Sequence, residues 1–242
     1  MAAYDLEEQE QLDNLKHWWQ QHGNKVAGIA LAAALGVVSW QGWNWYQNQQ
    51  ADRASTLFGK LQQSLMENKP QETRALAGEL MEKYGKTSYA SLGALLAARV
   101  SFDAGDLKAA QTQLEWAETH GDDEVRDLAR LRRAGVLLDE KAYDAALELL
   151  APKPLETFAP AYAELKADVL FAQGKPAEAR SAYQEALALL KAQTEKVSAA
   201  AEEEAGEKPA DAPAAKAEDT DPLSTNPAAQ LLQQKLDALG DA

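Results

Sequence analysis

The sequence predicts an all-α protein in which a stack of helical hairpins is tethered by one N-terminal transmembrane helix. Three observations lead to this prediction. An uncharged apolar run lies near the N-terminus, helical patterning extends over residues 51–190, and three short sequence blocks recur at nearly regular spacing. The predicted parts are an acidic tail (1–25), an anchor (26–46), a repeat domain (51–190), a linker (193–225) and a C-terminal helix (226–240).

The acidic tail is predicted to contain an amphipathic helix. Asp5 and Glu8 have the spacing of a capping box, and apolar residues then recur at helical spacing as far as Trp19. Gly23-Asn24 should end this helix, because glycine tolerates a left-handed C-terminal cap. The helix either rests on the membrane surface or docks a partner. The alternative is a solvated, partly frayed tail.

The apolar run 26–46 is the stretch around which the chain is organised. At about 1.5 Å per residue it gives roughly 31 Å of helix, close to the hydrocarbon thickness of a bilayer. Indole rings prefer the headgroup interface, and five tryptophans flank the run: Trp18, Trp19, Trp40, Trp43 and Trp45. A buried core helix is the alternative, but nothing nearby in the sequence would cover it.

The anchor is expected to stay uncleaved, because a signal peptide has a short basic leader and this leader is acidic. Gly28, Ala32 and Gly36 form a small-residue stripe of the kind that lets another transmembrane helix approach closely, although an alanine-rich segment produces such a pattern easily. The basic residues on the two sides are balanced, so they do not fix the orientation. Lys25, at the membrane edge, slightly favours a cytoplasmic N-terminus.

The repeat domain is predicted from the blocks 105–110, 141–146 and 174–179, which are offset by 36 and then 33 residues. Small residues allow the two helices of a hairpin to cross closely, and large ones fill the space between hairpins. The signature positions are Ala98, Gly105 and Ala110, then Ala134 and Ala146, then Ala167, Gly174 and Ala179. The offsets are typical of tetratricopeptide repeats, which are helix–turn–helix units of about 34 residues.

Two further segments complete the stack. Residues 54–66 and 71–84 have hairpin length and should form its N-terminal member. Residues 193–225 carry nine acidic residues, three lysines and no periodic apolar residues, which predicts a disordered, extended linker. The last helix has an apolar stripe at Leu231, Leu232, Leu236 and Leu239, and it should dock against 176–190 around Tyr183 and Leu187 as a cap.

Composition disfavours several classes of function. The net charge of −14 argues against nucleic-acid binding and against a peripheral hold on anionic lipid. The absence of cysteine excludes disulfides and thiolate chemistry. His17, His22 and His120 are scattered without a second ligand at metal spacing, and no phosphate-binding loop or nucleophile elbow is present. We therefore expect no catalytic site, metal or cofactor.

The order of these parts resembles the ancillary subunit of the SecYEG translocon, a bacterial inner-membrane protein family. The resemblance covers nearly the whole chain and is carried by Trp40-Gln-Gly-Trp-Asn-Trp45, by the G-K-x-x-x-A-R-S-A form of 174–182, and by the terminal Asn226-Pro-Ala. It implies a single-pass protein with a cytoplasmic N-terminus and a periplasmic repeat domain. It also implies association with the translocon and with a membrane-anchored periplasmic chaperone of the prolyl-isomerase type.

These features predict a membrane-tethered binding module, and the resemblance implies that it acts in protein export, with exported unfolded polypeptides as candidate ligands. Repeat stacks bind partners on the surface made by the first helix of each hairpin. The expected partner groove comprises Leu92, Leu95, Arg99, Phe102, Leu128, Leu131, Leu138, Glu164, Asp168 and Phe171. Its apolar share suggests hydrophobic ligands, and the alternative is that several of these residues pack internally. Two other hypotheses are a scaffold subunit of an envelope complex and a membrane tether for a cytoplasmic regulator bound by the tail.

Overall fold

Alanine, leucine and glutamate are strong helix formers, and they dominate this chain. A computed structural model describes residues 2–205 and 226–240, and within them it contains helices and no strand. The helices are α1 (Ala2–Met66), α2 (Pro70–Tyr84), α3 (Ser88–Asp103), α4 (Leu107–His120), α5 (Asp123–Asp139), α6 (Tyr143–Leu150), α7 (Ala159–Ala172), α8 (Pro176–Ala205) and α9 (Pro227–Ala238), with a single 3₁₀ turn at Glu156–Phe158. The all-α prediction is confirmed.

The N-terminal unit, residues 2–53, is helical throughout. The predicted helix end at Gly23-Asn24 is wrong, because α1 continues through both residues to Met66. One interior glycine costs a helix about 1 kcal/mol, whereas a break would leave several backbone groups without partners beside an apolar run. The segment His22–Met66 contains a stretch long and apolar enough to cross a membrane, with a mean hydropathy of 1.5.

The second unit, residues 54–240, is a stack of hairpins held by four apolar clusters. Each of the first three clusters joins the two helices of one hairpin to the first helix of the next. The end of α1 and α2 pack with α3, α3 and α4 pack with α5, and α5 and α6 pack with α7. In the fourth cluster α7 and α8 pack with α9. Such nearest-neighbour packing is the arrangement of a repeat protein.

The hairpin turns share one backbone conformation. Asn68, Gly105, Lys141 and Gly174 have φ values of 55°, 77°, 60° and 77°, in the left-handed region. In each turn the amide of the following residue donates to the carbonyl oxygen five positions earlier, at 2.8–3.0 Å. This is the Schellman pattern that ends a helix. The sequence blocks therefore repeat because each hairpin turns in the same way.

The predicted linker is wrong over residues 193–205, because α8 continues to Ala205. Alanine and glutamate favour a helix even without an apolar stripe. Lys196 also ties this part of α8 to Glu156 of the preceding 3₁₀ turn, with 2.9 Å between Nζ and Oε2. The remainder of the predicted linker, 206–225, lies outside the described residues.

Candidate interaction surfaces

An open groove of about 420 Å³ lies between α3 and α5, the first helices of two successive hairpins. We call it the α3–α5 groove. Ala98, Leu114 and Val136 form its floor and are almost fully buried. The remaining lining residues are Arg99 and Phe102 of α3 and Arg132, Gly135, Leu138 and Asp139 of α5. The groove therefore combines an apolar floor with charged residues.

Two arginines give the α3–α5 groove its positive charge. Arg99 forms only an exposed ion pair, with 3.8 Å between its Nε and Oδ2 of Asp103, and such pairs contribute little. Arg132 has no carboxylate within ion-pair distance among the described residues. Burial lowers the pKa of the Arg132 guanidinium, and the charge of Arg99 lowers it further. Arg132 thus lies beside a like charge without a counter-ion.

Other arginines of α5 are held by acidic residues of α4. Nε of Arg130 lies 3.0 Å from Oε1 of Glu118, and Nη1 of Arg133 lies 3.1 Å from the other carboxylate oxygen. Both arginine side chains are largely buried. These pairs fix α5 against α4, and they leave Arg132 as the arginine of this helix that faces the groove.

The predicted partner-groove residues do not form one continuous surface. Arg99, Phe102 and Leu138 line the α3–α5 groove. Leu95 is 4% exposed and belongs to the core, while Leu128 and Leu131 are half-buried against the clusters around it. Leu92 and Phe171 are exposed outside the groove lining. Glu164 and Asp168 instead contact α9.

The C-terminal helix α9 lies against the last hairpin in the place that the first helix of a further hairpin would take. Asn226 caps its N-terminus, with 3.0 Å between its Oδ1 and the amide nitrogen of Ala228. Leu232 is 2% exposed and packs in a cluster that contains Tyr183 and Ala186. Leu236 and Leu239 pack at the border of this cluster. Leu187 also borders the cluster, whereas Leu231, which the predicted stripe includes, is 48% exposed.

Lys235 joins α9 to α7 through polar contacts. Its Nζ lies 2.8 Å from Oε1 of Glu164 and 2.8 and 2.9 Å from the two carboxylate oxygens of Asp168. The ammonium also lies 5.5 Å from the ring centroid of Tyr183. The hydroxyl of Tyr183 donates a short hydrogen bond to Asp168. Burial, together with this bond, raises the pKa of Tyr183 well above its ordinary value.

The repeat-signature positions lie where their residue types fit. The six alanines are at most 2% exposed, and they are Ala98, Ala110, Ala134, Ala146, Ala167 and Ala179. Gly105 and Gly174 occupy the left-handed turn positions. These residues shape the stack, and Ala98 also lines the floor of the α3–α5 groove.

The residues assigned to the membrane lie on the surface of α1. Gly28, Ala32 and Gly36 are exposed, and no neighbouring side chain approaches a Cβ built at Gly28 or Gly36. The side chains of the five flanking tryptophans are 48–69% exposed, and they are Trp18, Trp19, Trp40, Trp43 and Trp45. Such an exposed apolar surface is typical of a site that contacts a membrane or a partner, and no other part of the described residues covers it.

The sequence pattern does not predict the acidic contacts of Lys235 or the groove residues Arg132, Gly135 and Asp139. It also does not predict the role of Asp127, which is 1% exposed and accepts the Leu155 amide at 2.8 Å, fixing the loop before α7. No signal in the sequence marks Arg132, because it is one of four arginines on the same helix. Within the described residues there is no group of three or more metal-ligating side chains.

Comparison with known proteins identifies the family. The tetratricopeptide repeat-like domain family matches residues 16–203. The ancillary SecYEG translocon subunit of Neisseria gonorrhoeae is 35% identical over 192 residues, covering 77% of this chain and 90% of that protein. The proteins of the same name from Haemophilus influenzae and Escherichia coli are each 28% identical, covering 76% of this chain and 90% and 88% of theirs. The chain belongs to the family of ancillary SecYEG translocon subunits, which carry a tetratricopeptide repeat-like domain.

Proposed function

We propose that this chain is a membrane-tethered protein-interaction module accessory to the Sec translocon, and that the α3–α5 groove binds a polypeptide. The observation that carries this proposal is the groove itself, whose apolar floor stays open between two inner helices. The apolar segment of α1 would hold the repeat domain at the membrane surface. The relatives' name, ancillary SecYEG translocon subunit, supports the translocon as the assembly it joins.

The proposed topology has the N-terminus in the cytoplasm and the repeat domain in the periplasm of the inner membrane. It rests on Lys25 at the membrane edge and on the resemblance to the family. The chain has no cysteine, so a single cysteine at exposed Lys60 should react with an impermeant maleimide added to spheroplasts. A cysteine at Lys16 is the matched control and should react only after lysis. The reverse labelling pattern would overturn the topology.

The proposed role further includes handover of exported polypeptides to a membrane-anchored periplasmic chaperone of the prolyl-isomerase type. The test is affinity purification of the full chain from membranes solubilised in mild detergent. SecYEG and the chaperone should co-purify with the wild-type chain and not with a version whose residues 54–242 are deleted. If the deleted version retains both partners, the anchor alone is the binding element and the repeat domain is not the interaction module.

A variant that fills the groove would distinguish a binding module from a scaffold subunit. In a binding module, a variant that fills the groove should lose crosslinks to exported polypeptides while keeping its place in the assembly. In a scaffold subunit, the same variant should change neither. The open groove favours the binding module, and the proposed function involves no catalysis.

A further inference from the structure

The α3–α5 groove has a composition that selects its ligand. Its floor is apolar, and Phe102 adds a ring that is 38% exposed. Arg99 and Arg132 also line this groove, and among the described residues their only ion pair is the exposed one between Arg99 and Asp103. Like charges on one surface repel each other, and a bound carboxylate would relieve this repulsion.

Resting on the proposed function, we propose that the groove binds linear peptide segments in which an aliphatic or aromatic residue stands beside acidic residues. The apolar side chain would occupy the floor formed by Ala98, Leu114 and Val136. The neighbouring carboxylate would lie between Arg99 and Arg132, where a guanidinium can donate two hydrogen bonds in parallel. Asp139 would accept a hydrogen bond from a peptide amide and would disfavour a second carboxylate at its end of the groove.

Charge complementarity favours an acidic peptide as the occupant of the groove. The chain has a net charge of −14, yet an arginine pair is exposed at its apolar groove. By contrast, the acidic residues on α7 already hold Lys235 of α9. These carboxylates of α7 are therefore paired within the chain, whereas among the described residues Arg99 has only its exposed pair with Asp103 and Arg132 has no carboxylate within ion-pair distance.

Gly135 supplies a clean way to close the groove. It lines the groove, and a Cβ built on it meets no atom within 4 Å. Gly135→Leu should therefore fill the ligand space without a clash, and it replaces glycine with a better helix former inside α5. The melting temperature of this variant should equal or exceed that of the wild type, so loss of binding cannot be assigned to unfolding.

The binding test uses the full chain in nanodiscs and fluorescein-labelled nine-residue peptides. The probe peptide contains two leucines and one phenylalanine flanked by aspartates. In matched peptides the aspartates are replaced by asparagine or by lysine, or the apolar residues by serine. Fluorescence anisotropy should show binding of the probe. The asparagine peptide should bind at least about tenfold more weakly, and the serine peptide should not bind, because the ion pairs and the apolar anchor act together.

Protein variants then locate the site. Gly135→Leu should abolish probe binding, and Arg132→Glu should weaken it at least about tenfold. Arg99→Glu combined with Arg132→Glu should reverse the preference, so that the lysine peptide binds better than the aspartate peptide. Lys108→Glu is the matched control, since Lys108 is exposed on α4 outside the groove and its replacement changes the net charge by the same amount. It should leave binding unchanged.

Several results would overturn the inference. Equal binding of the aspartate, asparagine and lysine peptides would remove the role of the arginines. Binding that survives Gly135→Leu, or no binding of any peptide, would place the ligand elsewhere. If the probe binds only after the five acidic residues of 206–225 are changed to amides, this chain's own segment is the occupant and not a partner.

Failure of this inference is distinguishable from failure of the proposed function. Co-purification with SecYEG reports on the proposed function and is measured on the same variants. A Gly135→Leu chain that keeps the translocon but loses the probe supports both statements. A wild-type chain that does not co-purify with the translocon but binds the probe with the stated charge preference supports the peptide specificity alone.

Discussion

Replacing Leu232 with alanine should release α9 from the last hairpin without unfolding the stack. Leu232 is 2% exposed in a cluster with α7 and α8, whereas its neighbour Leu231 is 48% exposed. Removing a buried leucine side chain typically costs about 2–5 kcal/mol, through lost transfer free energy and an unfilled cavity. A cost of about 3 kcal/mol shifts the docking equilibrium by roughly two orders of magnitude.

The loss should appear in α9 first, because this helix has twelve residues and an isolated helix of that length is marginal in water. Hydrogen exchange read by mass spectrometry on the full chain should therefore show fast exchange across Pro227–Ala238 in the Leu232→Ala variant. Exchange in α3, α4 and α5 should stay close to that of the wild type, since those helices belong to other clusters.

Leu231→Ala is the matched control, with the same side chain removed from the adjacent position of the same helix. It should leave exchange in α9 nearly unchanged, because the side chain it removes is largely exposed. Fast exchange across α9 in the wild type and in both variants would refute the docked position of α9. Slow exchange in both would mean that Leu232 contributes little to docking and that Lys235 dominates.

Three other changes test separate parts of the domain. Lys235→Met should destabilise α9 docking by about 1–3 kcal/mol in the same exchange assay, because Glu164 and Asp168 lose their counter-ion. Lys141→Gly should raise the free energy of unfolding by about 0.5–1 kcal/mol in a urea titration. The backbone at Lys141 has a φ of 60°, which is strained for a residue with a Cβ atom and unstrained for glycine. Burial raises the pKa of Tyr162 to about 12. As the pH rises above the ordinary tyrosine pKa of about 10, this side chain therefore ionises first in the unfolded chain. The contribution of Tyr162 to the free energy of unfolding is complete below pH 10 and is lost toward pH 12. Tyr162→Phe should remove this part of the pH dependence of thermal unfolding.

Much of the fold follows from the sequence because hairpin stacking has strict local requirements. Only a small residue fits where helices cross, so buried alanines such as Ala134 and Ala167 recur at nearly fixed spacing. The turn needs a left-handed residue, which explains Gly105 and Gly174. These constraints act between residues that are close in the sequence, and they are therefore readable from a single chain.

Helix ends were less predictable because they depend on small energies. The glycine at position 23 resembles a stop signal, yet α1 passes through it. Residues 193–205 lack apolar periodicity, yet α8 continues through them to Ala205. Periodicity reports which face is buried, whereas helix formation beyond the core depends on intrinsic propensity.

The groove was predicted only in part because the rotation of α5 is not encoded in the repeat. Leu128 and Leu131 turn toward the core, and Arg132, Gly135 and Asp139 occupy the adjacent stripe at i, i+3 and i+7. One residue corresponds to about 100° around a helix, so a small error in rotation exchanges one stripe for the next. Arg130 and Arg133 of α5 fix this rotation by pairing with Glu118, which lies on the neighbouring helix α4.

The charges on the inner helices explain why one surface is covered and the other is open. The carboxylates of α7 bind Lys235, so the last hairpin is satisfied within the chain. The α3–α5 groove carries the opposite charge, within a protein of net charge −14 that repels acidic ligands at a distance. At physiological ionic strength this repulsion is screened beyond about 8 Å. Arg99 and Arg132 therefore act only at contact, where they select among peptides already held by the apolar floor, and they should slow dissociation more than they speed association.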